Sequence, residues 1–91
     1  MSVKVCELVK VESMSQFYQH MVHSLNLPQY MAHNLDALFD SLSADVEGPI
    51  FIYWPNHQVA FQQLGEDKVQ RIINVFRDLQ RMRPDFFVYL D

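Results

Sequence analysis

The sequence predicts one α/β domain over residues 1–91, a three-stranded parallel sheet with four helices in the order β-α-α-β-α-α-β. Three observations lead there. Ile50–Trp54 and Phe86–Leu90 are apolar runs of strand length, and Val3–Leu8, with Val3, Val5, Cys6 and Leu8 apolar, reads as a first strand. Between consecutive runs lie stretches whose apolar residues recur at helical spacing. Strands separated by helical crossovers pair in parallel, with the helices laid against at least one face of the sheet.

Each element has its own signal. After the first strand, Ser13-Met14-Ser15-Gln16 has capping-box spacing. Met14, Phe17, Tyr18, Met21 and Leu25 then form one apolar face, ended by Asn26-Leu27-Pro28. Asn34 is placed to cap a second helix in which Leu35, Leu38, Phe39 and Leu42 fall at i, i+3, i+4 and i+7. Gly48-Pro49 opens the second strand, whose continuous apolar run predicts burial on both faces. Pro55 stops that strand and suits the first position of a short helix through His57, Ala60 and Leu64. Gly65-Glu66-Asp67 starts a stronger helix with Val69, Ile72, Ile73, Phe76 and Leu79 on one face and Arg77 and Arg81 towards its end. Pro84 ends it, and Phe86–Leu90 reads as another buried strand.

Composition removes several classes of function. Apolar residues make up 49% of the chain, which separates it from disordered sequences. Cys6, the single cysteine, excludes an intramolecular disulfide, a zinc-finger pattern and a Cys-x-x-Cys redox pair. It falls in an apolar run and is expected in the core. With no signal-peptide pattern and no apolar stretch of spanning length, the expectation is a cytoplasmic protein with no membrane contact. His20 and His23 lack a third ligand, so neither a metal nor another cofactor is expected.

Charge is where function shows. Net charge is −4, yet residues 11–67 hold Glu12, Asp36, Asp40, Asp45, Glu47, Glu66 and Asp67 and no Lys or Arg. Five cations follow from Lys68 onward, mixed with acids. An acidic face repels phosphates, so direct nucleic-acid binding is not expected. Within the gap, Asp36 and Asp40 lie one turn apart on the flank of the second helix. Like charges at this spacing cost an isolated helix ~0.2–0.5 kcal/mol. A solvated helix face explains the pair without any function; a surface made to meet something positive explains it as well.

The wider pattern separates these readings. Leu25-x-Leu27-Pro28-x-Tyr30, followed by Asn34-Leu35-Asp36-Ala37-Leu38-Phe39-Asp40, closely resembles the first-helix exit, binding loop and second helix of the barstar family of ribonuclease inhibitors. Glu47-x-Pro49 and Val75-Phe76-Arg77-Asp78 extend the resemblance over most of the chain. It implies a three-stranded parallel sheet with four helices and a non-enzymatic immunity protein that binds a barnase-like ribonuclease or toxin domain one-to-one. It further implies Asp40 as the mimic of the RNA phosphate, Asp36 as its partner and Tyr30 as an aromatic contact. Asn34 would brace the loop and cap the helix, and Asp78 would be a peripheral acid. Met31, Ala32 and His33 stand where the family has an aromatic residue, a glycine and an acid, so the identity of the ribonuclease stays open. His33 in that loop would change charge near neutral pH.

Two other functions fit the acidic helix. A barstar-like binding module could meet a basic protein that is no nuclease. Asp36 and Asp40 could instead serve as an acid-base pair, as in glycosidases. The sequence offers that second reading no nucleophile and no substrate-positioning group.

Overall fold

The computed structural model describes residues 3–91. Its elements are β1 (Lys4–Glu7), α1 (Met14–Leu25), α2 (Leu35–Asp40), β2 (Ile50–Trp54), α3 (His57–Leu64), α4 (Glu66–Met82) and β3 (Phe86–Leu90). A π-helical turn over Ser41–Asp45 continues α2. The strands form one parallel sheet in the order β1-β2-β3, with Cys6 opposite Ile52 and Ile52 opposite Val88. The α/β architecture and the alternation of strands with helix pairs agree with the reading of the sequence.

Local chemistry accounts for the boundaries. The Ser13 hydroxyl accepts from the Gln16 N–H at 3.1 Å, and the Gln16 side chain accepts in return from the Glu12 N–H at 2.8 Å. Two free donors at the start of α1 are thereby satisfied. Asn26 ends α1 in the left-handed region at φ 55°, and its N–H donates to the Val22 carbonyl. Asparagine tolerates that conformation better than most residues. Asn56 is also left-handed, at φ 55°. The chain therefore turns once more after Pro55, and α3 begins at His57 rather than at the proline.

One face of the sheet carries the core. Phe17 of α1 stacks on Trp54 of β2 with centroids 6.1 Å apart and lies against Phe76 of α4, which in turn meets Phe86 of β3. Leu25, Leu38, Leu42, Ile72 and Leu79 fill the space around them. Each such side chain contributes ~1.5–3 kcal/mol on burial. Cys6 lies fully within this core beside the Met21 sulfur, and burial pushes its thiol up to about 11. It stays protonated at neutral pH and is no nucleophile.

The opposite face is open, which corrects the expectation that the apolar strands are buried on both sides. Phe51 is 40% exposed and Phe87 45%, while Ile50, Ile52, Trp54 and Phe86 are buried. The helices pack on the side of Cys6, Ile52 and Trp54, so alternate residues of every strand face outward. Tyr89 and Val5 are exposed there too.

A single guanidinium ties the layers together. Arg83, just after α4, donates through one terminal nitrogen to the carbonyls of Leu42 and Val46, both at 2.7 Å. Its other nitrogens form a two-pronged pair with the Asp85 carboxylate at 2.9 and 2.8 Å. The carbonyls left without partners at the end of the α2 segment are thus satisfied from the far end of the chain. Gly48 lies against this pair, and a side-chain carbon there would strike Asp85 and Arg83. Among the described residues, no helix is long and apolar enough to cross a membrane.

Gly48→Ala is expected to cost ~1–3 kcal/mol, because the new methyl overpacks a fixed ion pair; urea unfolding followed by circular dichroism measures it. The Arg83 guanidinium also holds the Asp85 carboxyl below the usual carboxylate range. Its stabilisation is therefore present above the unfolded-state value and disappears as pH falls through the lowered native one. The native chain should lose urea resistance on acidification more steeply than Asp85→Asn, and identical pH profiles would exclude this assignment.

Candidate functional site

Asn34 sets the geometry of the acidic helix. Its backbone is extended, and its side-chain oxygen accepts from the Ala37 N–H at 2.8 Å while its carbonyl accepts from the Leu38 N–H. This is the expected cap. From it, α2 and the π-helical turn that continues it present two opposed faces: Leu38 and Leu42 are fully buried, and Asp36 and Asp40 are exposed. Leu35 and Phe39 pack at the edge of the core. Asp36 occupies the first turn, where the helix dipole favours an anion. Among the described residues neither carboxylate forms an ion pair. Asp45 and Glu47 extend the exposed acidic surface beyond the π-helical turn.

The loop before α2 is held at two points. Leu27 and Met31 are buried, and the Met31 N–H donates to the Pro28 carbonyl to close a turn. Between these anchors Tyr30 is 92% exposed. It therefore has no role in the core, and the half-buried loop anchor that a tyrosine often supplies is absent here. His33 stacks on Tyr18 of α1, with centroids 5.2 Å apart and planes 15° from parallel. Met31, which replaces an aromatic residue of the family pattern, points inward.

His33, Asn34 and Asp36 line one wall of a hollow of about 620 Å³ whose other walls are Met14 and Tyr18 of α1 and Lys68, Arg71, Asn74 and Val75 of α4. Asp40 and Tyr30 lie outside it, so the six candidate residues do not converge on one cavity. They mark an extended surface rather than an enclosed reaction site. Asp78 is separate, paired with Arg81 of its own helix at 2.6 Å, which matches an ordinary surface ion pair.

Lys68 and Arg71 were not read from the sequence as part of this site. They follow the cation-free stretch and lie three apart on α4, which packs against α2. Arg71 is paired with Asp67 at 3.2 Å. Arg83 was missed as well, since nothing in its local sequence indicates that it holds the end of the α2 segment. Among the described residues no cluster of three or more His, Cys, Asp or Glu is placed to hold a metal ion.

The family model described as Barstar (barnase inhibitor) matches residues 1–91. The match covers every element described above, including the loop and capped acidic helix. The chain belongs to the barstar family.

Proposed function

We propose that the protein inhibits a barnase-like ribonuclease by laying α2 and the loop before it across the enzyme's active site, one inhibitor to one enzyme. The observation that carries this reading is the division of α2 and the π-helical turn that continues it: Leu38 and Leu42 fully buried, Asp36 and Asp40 exposed and without ion pairs among the described residues. A ribonuclease that cleaves by attack of the 2'-hydroxyl needs cations to stabilise the phosphoryl transition state. Carboxylates on a rigid helix are suitable ligands for those cations, through charge-assisted and bidentate hydrogen bonds to arginine. Asp40 serves as the phosphate mimic, Asp36 supports it one turn earlier, and Asn34 fixes the start of the helix. Tyr30 supplies aromatic contact from the loop, and Asp78 lies at the periphery.

Lys68 and Arg71 refine the charge pattern. The surface is acidic along Asp36, Asp40 and Asp45 and cationic on the α4 wall of the hollow. A matching enzyme places its catalytic cations against α2 and an acid or a neutral acceptor against α4. Like-charge juxtaposition there would exclude ribonucleases with an unbroken basic rim.

Inhibition of barnase-like ribonucleases by the purified protein, read as loss of RNA cleavage, tests the proposal. Against an inhibited enzyme, Asp40→Ala is expected to lose ~2–5 kcal/mol of binding, as for one partner of a desolvated charge pair. Asp78→Ala should lose no more than ~1 kcal/mol. Equal and negligible losses at Asp36 and Asp40 would defeat the phosphate-mimic mechanism. Added salt should slow association before it speeds dissociation, because the charges steer the encounter. Binding to a basic protein with no effect on any ribonuclease would replace this reading by that of a barstar-like acidic module.

A further inference from the structure

We propose that the open face of the sheet is a homodimer interface, with two copies of the chain packed face to face about a two-fold axis parallel to the strands. All-parallel sheets are almost always covered on both faces, and here the helices cover one. On the other, register places Val5, Phe51 and Phe87 in one row and Glu7, Tyr53 and Tyr89 in the next. Phe51 stacks on Phe87 at 5.0 Å, and Tyr53 lies 5.5 Å from Tyr89. The first row is apolar, the second sets the Glu7 carboxylate beside two tyrosines, and Val5, Phe51, Phe87 and Tyr89 are open to water.

The area suits a second copy. The exposed parts of Phe51, Phe87 and Tyr89 present ~300 Å². With Val3, Val5 and the flanks of Glu7 and Tyr53, the face offers on the order of 600 Å², about a tenth of the chain's 5572 Å² of accessible surface. A pair would bury ~1,200 Å², above the ~1,000 Å² that a specific interface requires.

The shape suits it too. Each row runs from a small or slender side chain on β1 to an aromatic ring on β3, so the face is a wedge. A two-fold axis along the strands lays β1 of one copy over β3 of the other and sets thin edge against thick. Phe51 then meets its own counterpart near the axis, at the ~10 Å spacing and small angle usual for packed sheets. The same operation brings the Glu7 carboxylate to the Tyr89 hydroxyl of the second copy. Neither group has a side-chain partner among the described residues, whereas the Tyr53 hydroxyl already donates to Asp91. Each Tyr89 would donate to Glu7 across the interface, giving two symmetric hydrogen bonds. Because α2 lies in the helical layer on the other side of the sheet, a dimer leaves both acidic surfaces free.

Sedimentation velocity of the full chain from ~5 to ~500 µM tests this, a range spanning micromolar to sub-millimolar affinity. The native protein should pass from monomer to dimer within it. Phe51→Lys places an ammonium at the centre of the face and should leave the protein monomeric with a native circular dichroism spectrum. Tyr89→Phe keeps the ring and the fold but removes the cross-interface donor, and should raise the dissociation constant by about tenfold or more. A native chain that stays monomeric throughout overturns the proposal, whether or not another protein is found on this face. An association that either variant leaves at native strength overturns it as well.

Discussion

Arg83 joins parts of the molecule that share no local sequence. Its guanidinium reaches 41 residues back to the Leu42 carbonyl and 37 back to that of Val46, while Asp85 holds it from the other side. Four directed hydrogen bonds from one planar group fix position and angle together, which a single ammonium does not do. The end of the acidic helical segment, the exit of α4 and the entry to β3 are thereby set relative to one another. Gly48 completes the arrangement by leaving room for the pair beside β2.

At its other end the acidic segment is held by the Asn34 cap, and along its length by Leu38 and Leu42 in the core. These three restraints turn a six-residue helix, too short to persist alone, into a rigid support for two carboxylates. Rigidity matters because a charge held in place before binding loses little conformational freedom when it meets its partner. The mutual repulsion of Asp36 and Asp40 is small beside the burial that holds their helix. Tertiary packing thus permits a charge arrangement that helix propensity disfavours.

The sheet shows a different balance. Its covered face is closed by Phe17, Trp54, Phe76 and Phe86, while the outward residues of β2 and β3 stack on one another across the strands. Such cross-strand aromatic pairs support the sheet without any covering layer. Strand pairing and core packing therefore do not demand that the outer aromatic rings be buried.

Much of the fold was legible because its signals are local. Ser13 and Asn34 cap helices through bonds to residues three positions on, Asn26 and Pro84 end helices through their own backbone preferences, and the apolar faces of α1 and α4 repeat every turn. The Asn34–Asp40 pattern is equally local, and with it the opposition of buried leucines to exposed carboxylates. Less was legible where parity or distance decides. An apolar strand reads the same whether one face or both are covered, so only the placement of the helices revealed that Phe51, Phe87 and Tyr89 face outward. A left-handed Asn56 displaced the start of α3 beyond Pro55. The acidic stretch contains no cation in sequence, yet α4 brings Lys68 and Arg71 to the wall facing Asp36. The sequence by itself determined the elements, their caps and the two-faced acidic helix, since these depend on neighbours within about one turn. Only the tertiary structure decided which charges share a surface, which sheet face stays open and what holds the helix end, since these depend on side chains that meet across tens of residues.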